Sequence, residues 1–321
     1  MGSPSDHDGP APAARGRRAV GLPPTAGAAV MSTGILSTAT QMAGLRSVSW
    51  VFLALAVLGE VVLGAAVLGR LISDRPGFVA DAGTPASLTG VAATAVIGSR
   101  VASVGWTGAA WALLVLSTLL WLVLLPFVLS RWQVPTVGAS FLVCVATEGL
   151  AVLAGVQAGA TGKPPVAAAG LAAFLLGLLL YAGVVARFDW RQLLIGAGDH
   201  WVLAGALAIT SLAGAELLQS NDRLPPRFHQ QLRVLDLVVW GVAMGGYALL
   251  LGCELRWPRW RYDIRRWATV FPLGMTAAAS FAVGRAERLL VLTVIGHVLL
   301  WPAVAAWALT AVGATGWRLR R

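Results

Sequence analysis

Hydroxyl side chains recur at helical spacing in this chain, and such spacing can place them along one path. Thr33, Ser37 and Thr40 stand at i, i+4 and i+7; Ser87, Gly90 and Thr94 repeat the interval; Thr136, Ser140, Cys144 and Thr147 form a third stripe, and Thr210 adds a hydroxyl in a later apolar run. A polar stripe on each of several helices would line a narrow aqueous path. The same residues also pack helices closely and bond their own i−4 carbonyls, and the pattern alone leaves both readings open.

Three further residues carry chemistry by type and place. Glu148 lies inside an apolar run, where a carboxyl costs a few kcal/mol unless it is partnered or protonated, so it is a candidate for coupling protons to transport. Arg100 closes another run and could concentrate anions at an entrance, or extend to lipid headgroups. Phe271 precedes Pro272, which removes a backbone donor and frees the carbonyl of Ala268, so a kink is expected with an aromatic ring beside it. At about 100° per residue, however, Phe271 lies opposite the face carrying Thr269, Thr276 and Ser280.

Other ionisable residues point to structure. Glu60 reads as an interhelix hydrogen-bonding partner, Asp199 and His200 as an opening cap, and Asp236 and His297 have no partner visible in sequence. Gly241, Gly245 and Gly246 make a small-residue surface suited to a neighbouring helix or protomer. Cys144 and Cys253 are isolated, and His7, His200, His229 and His297 are far apart, so no disulfide, metal or cofactor is expected. The nearest approach to an intramembrane catalytic group is the single Asp199-His200 pair, and no enzyme is expected.

The elements that must position these residues are membrane helices. The chain is 57% hydrophobic and 12% charged, with mean hydropathy +0.75, whereas soluble domains carry about 25% charged residues. Its net charge of +10 comes from bases of which all but Lys163 are arginines scattered between apolar runs, which suits anchors at anionic headgroups rather than a nucleic-acid surface. Ten runs approach the roughly 20 residues a bilayer requires: 27–44, 49–72, 83–104, 108–129, 134–156, 166–186, 199–218, 232–253, 266–284 and 289–312. Short links predict five antiparallel hairpins. The odd runs hold 19 Ser and Thr residues against 5 in the even runs, which predicts five polar inner helices enclosed by five apolar outer ones. Counting bases on alternate links, 16 against 8, places both termini in the cytoplasm. Residues 1–22 read as a disordered basic tail, 23–313 as the membrane domain and 314–321 as a basic C-terminal tail.

Three motifs carry a resemblance. The run Trp267-Ala268-x-x-Phe271-Pro272-Leu273-Gly274-Met275, the opening Met31-x-Thr33-Gly34-Ile35-x-Ser37, and Arg187-Phe188-Asp189-Trp190 followed by Gly196 to Trp201 together resemble the bacterial branch of the tellurite-resistance/dicarboxylate transporter family, which includes the plant slow-type anion channels. The resemblance implies an all-α protein of five hairpins, a pore lined by odd helices in every protomer of a homotrimer, and passage of small anions across the cell membrane. It also implies that Phe271 is an aromatic gate, with Gly274 beside it on the pore wall. The alternative is proton-coupled transport of C4-dicarboxylates or a related oxyanion of the tellurite or sulfite type.

Overall fold

The computed structural model describes residues 26–220, 226–259 and 262–318. Within them the chain is all-helical, with twelve α-helices: α1 Gly27–Met42, α2 Arg46–Ser73, α3 Arg75–Ala82, α4 Leu88–Ser103, α5 Thr107–Ser130, α6 Leu142–Thr161, α7 Pro164–Val185, α8 Arg191–Ile195, α9 Val202–Gln219, α10 Pro226–Arg256, α11 Trp267–Ala286 and α12 Leu290–Arg318. Eight helical segments are long and apolar enough to cross a membrane, and the protein is an integral membrane protein. α1 and α4, with 16 residues each, are shorter than the runs read from sequence. They rise about 24 Å, less than a hydrocarbon core of about 30 Å.

Burial divides the helices into two sets. Most residues of α1, α4, α6, α9 and α11 are buried, whereas α2, α5, α7, α10 and α12 present most of their apolar side chains outward. The buried helices pack in a closed circuit, α1 to α4, α6, α9, α11 and back to α1, and each also packs on the outer helix that follows it in sequence. Close contacts pair Gly34 with Val96, Gly98 with Leu153, Gly155 with Glu216, Gly205 with Pro272, and Gly274 with Ile35 and Leu36. Second contacts fix the direction: Gly27 meets Thr89 seven residues before Gly34 meets Val96, Gly149 meets Ala95 and Ile209 before Leu153 meets Gly98 and Gly155 meets Glu216, and Ser32 meets Trp267 before Ile35 meets Gly274, so residue numbers rise together and the five inner helices run parallel. Their macrodipoles therefore align, with backbone N–H groups gathered at one mouth and carbonyls at the other.

Several expected boundaries shift. Residues 83–87 belong to a turn and a 3-10 segment before α4, so Ser87 precedes the helix on which its stripe was drawn. The last helix continues to Arg318, five residues into the expected C-terminal tail. The expected tail at 1–22 lies outside the described residues, as do Arg223, Arg261, Arg320 and Arg321 among the bases used for orientation.

Candidate functional site

Five hydroxyls of the inner helices bond residues of the outer helices. Thr33 accepts the indole N–H of Trp307 on α12 at 2.9 Å, Thr147 that of Trp121 on α5 at 2.9 Å, and Ser280 that of Trp240 on α10 at 3.1 Å. Thr94 donates to Glu60 of α2 at 2.5 Å, which makes Glu60 the interhelix partner expected of it. Ser37 donates to the Ser49 carbonyl of α2 at 2.8 Å. Thr40 bonds the Leu36 carbonyl of its own helix, Ser87 the carbonyls of Ala82 and Thr84, and Ser140 accepts from the Val137 N–H in the turn before α6. Where the stripes suggested hydroxyls along a channel, most of these groups tie the inner helices to α2, α5, α10 and α12. A Trp N–H and a Thr hydroxyl each need a partner away from water, and each pair satisfies both.

Around Gly149 the packing between inner helices is apolar and close. A Cβ on Gly149 of α6 would touch Ala92 and Ala95 of α4 and Ile209 of α9 together, although α4 and α9 are not neighbours on the circuit. The interior is narrow there. Ser280 anchors one face of α11 to α10, and Phe271, nine residues earlier and so roughly half a turn away in azimuth, lies on the opposite face. Phe271 is fully buried, with its Cε1 atom 3.2 Å from where Gly205 of α9 would carry a Cβ. α11 runs through Pro272 without interruption, and Gly274 brings it against Ile35 and Leu36 of α1. Because Ser280 looks toward α10, the opposite face of α11, which carries Phe271, is turned away from that outer helix.

Charge is distributed unevenly about the circuit. The Arg100 side chain is folded inward rather than extended to headgroups; the residue is 1% exposed. Its guanidinium donates to Ser49 at 2.9 and 3.1 Å, Gln41 at 3.1 Å and Ser103 at 3.1 Å, and lies 5.5 Å from the Trp50 ring. No carboxylate pairs with it among the described residues. Arg100 and Arg285 occupy the last turns of α4 and α11, where a cation offsets the carbonyl end of a helix. At the other mouth, Glu254 is held by Arg259 at 2.7 Å and Arg266 at 3.1 Å, so two guanidiniums share one carboxylate.

The acids sit away from the apolar interior. Glu148 of α6 lies 3.1 Å from the Thr210 hydroxyl of α9 and fits only because α7 carries Gly177 there, whose Cβ would overlap the carboxyl group. Asp236 of α10 fits in the same way against Gly214 of α9. Asp199 accepts the N–H of Ala139 at 3.2 Å, so it caps the turn before α6 rather than its own segment. His200 accepts the Gly198 N–H at Nδ1. Gly246 packs on Ala204, while Gly241 and Gly245 face open space. The tryptophans of the outer helices and Gly205 escaped notice in the sequence; an indole inside an otherwise greasy helix was the available signal, since its N–H requires an acceptor.

Comparison with known proteins adds two findings. The profile of the family described as SLAC1, voltage-dependent anion channel, matches residues 21–315. The uncharacterized membrane proteins MT1776 and Rv1735c, from two strains of Mycobacterium tuberculosis, are each 32% identical over 120 residues, covering 35% of this chain. The matched region spans 60% of the length of those curated relatives.

Proposed function

The chain belongs to the SLAC1 voltage-dependent anion channel family, and on that premise we propose that it passes small anions along the axis of its five inner helices, with Phe271 as the gate. The observation that carries this reading is the position of the Phe271 ring: fully buried, against Gly205, on the face of α11 opposite its anchor to α10. An apolar constriction closes by excluding water, and a ring that moves aside admits a partly hydrated anion. Aligned helix N-termini, with Arg259 and Arg266 exceeding Glu254, favour anions at one mouth. Arg100, buried without a carboxylate partner among the described residues, does so at the other.

In this reading all five inner helices cross the bilayer with their outer partners, as ten spans in five hairpins. The short α1 and α4 are completed by the turns at their ends and shielded from lipid by protein. Both termini lie in the cytoplasm, three copies associate in the cell membrane, and each copy conducts by itself. The hydroxyls at 33, 94 and 147 hold the wall from behind. The test is purified protein in lipid vesicles, assayed for chloride, nitrate and malate flux under an imposed potential. Flux of at least one anion that carries net current supports a channel, and no anion flux refutes the proposal.

A second reading, proton-coupled uptake of a dicarboxylate or oxyanion, is favoured by Glu148 and Asp236, two fully buried acids within the membrane helices. It predicts uptake driven by a proton gradient at zero potential.

A further inference from the structure

A groove of about 580 Å³ runs between the outer helices α2 and α5, with the first turn of the inner helix α4 as its floor. Leu63 and Val67 of α2 form one wall, and Leu120, Leu124 and Phe127 of α5 the other, each set at helical spacing on a single face. Gly90 of α4 lines the floor, and a Cβ there would meet nothing within 4 Å, so the groove is open down to an inner helix. Its lining on α5 runs from Leu116 to Phe127, a rise of about 16 Å, and one leaflet of hydrocarbon is about 15 Å deep.

One end of the groove is closed and basic. The short helix α3 lies there, held by an arginine from each wall: Arg70 of α2 pairs with Asp81 at 2.5 Å, and Arg131, just beyond α5, donates to the Val79 carbonyl at 3.1 Å. Arg131 also lies over the Phe127 ring, 4.2 Å from its centroid, and has room because Gly83 carries no side chain, whose Cβ would come within 2.6 Å of it. Asp74 caps α3 and lies 4.0 Å from Arg70, so Arg70 engages both aspartates at this end. Arg75 and Arg131 form no ion pair with a described residue, which leaves the three arginines in excess. Ser87 and Thr89 line the same end, with their hydroxyls bonded to carbonyls of residues 82, 84 and 86. Away from it the lining is apolar. A basic mouth above an apolar length of one leaflet matches the polarity of a phospholipid, not of a soluble anion.

We propose that this groove holds one anionic phospholipid, with an acyl chain lying against Gly90 of α4 and the phosphate beside Arg75 and Arg131. The chain removes the exposed apolar walls from competition with mobile lipid, and the phosphate answers the excess of positive charge. No outer helix stands between the chain and α4, so occupancy bears directly on the position of an inner helix. In the orientation proposed above, this end meets the cytoplasmic leaflet, whose surface is negative where anionic lipid is present. The lipid site rests neither on that orientation nor on the anion reading, whereas an effect of the lipid on anion flux does.

The test is native mass spectrometry of the full chain in detergent, beside thermal unfolding, with added phosphatidylglycerol, phosphatidylcholine of the same acyl chains, or glycerol phosphate alone. Phosphatidylglycerol should stay on the protein, one per copy, and raise the unfolding temperature more than phosphatidylcholine does. Gly90→Leu fills the groove and should lower phosphatidylglycerol retention severalfold while lipid-free unfolding stays near wild type. Leu120→Trp fills it from the α5 wall and stands as the independent variant should Gly90→Leu fail to fold. Arg131→Gln should lower the preference for phosphatidylglycerol over phosphatidylcholine about fivefold, the effect of one arginine at an anionic surface, and leave phosphatidylcholine retention unchanged. Equal retention of the two lipids, or retention that neither Gly90→Leu nor Leu120→Trp alters, overturns the site. Equal protection by glycerol phosphate would put a free oxyanion there, and disulfide cross-linking of copies through Leu119→Cys would put a second copy there; either result overturns it as well. Retention lost in the variants of a protein that moves no anion would leave the lipid site standing and refute the anion reading instead.

Discussion

Truncating Phe271 to alanine removes a fully buried ring from the narrow apolar interior. In a filled core that change costs about 3–5 kcal/mol. A ring with one side on a conduit has fewer packed neighbours to lose, so the expected cost falls to roughly half, about 1.5–2.5 kcal/mol. The burial of such a ring stabilises by about 2–3 kcal/mol, and a closed barrier lowered by that amount raises flux on the order of 30- to 140-fold, since about 1.4 kcal/mol is a factor of ten. Gly205→Ala probes the same contact from α9. Its Cβ would lie 3.2 Å from Phe271 Cε1 and 2.7 Å from Pro272 Cγ, so it presses on the ring and should reduce flux at a cost of about 1–3 kcal/mol. In the Phe271→Ala background the first clash disappears and the second persists. The pair should therefore show a coupling energy of about 0.5–1 kcal/mol. Anion efflux from vesicles and thermal unfolding in detergent supply the two readouts. Unchanged or reduced flux in folded Phe271→Ala, together with additive effects in the double variant, would refute the gate.

Arg100→Gln removes a buried cation that has no carboxylate partner, so unfolding temperature should hold or rise while anion flux falls severalfold; a substantial loss of stability with normal flux would make Arg100 structural. Trp121→Phe and Trp307→Phe each delete an indole donor to an inner-helix threonine, and each should cost about 1 kcal/mol in thermal unfolding, with effects that add because the two sites are on different helix pairs. Gly177→Ala places a methyl group against the Glu148 carboxyl and should destabilise by about 1–3 kcal/mol, a loss that Glu148→Ala should partly relieve; full additivity would mean that the contact is absent in the folded protein.

How the residues divide between sequence and tertiary structure follows from the physics of each signal. Which helices are buried was legible in composition, because hydroxyls are costly in hydrocarbon and accumulate where protein can bond them; the Ser- and Thr-rich runs became α1, α4, α6, α9 and α11. Glu60 was legible for the same reason, since a carboxyl in a greasy helix must meet a donor, and it meets Thr94. The direction in which each stripe faces was not legible. A helical stripe has a period but no reference azimuth, and the reference here comes from Trp121, Trp240 and Trp307, more than 20 residues away from the hydroxyls they bond. Those indoles turn Thr147, Ser280 and Thr33 toward the outer helices. Notches for buried acids likewise depend on two chain segments at once: Gly177 and Gly214 have meaning only beside Glu148 and Asp236, which packing alone brings to them. The inventory of inner helices was thus local in the chain, while the direction of these hydroxyls was decided by side chains on the outer helices.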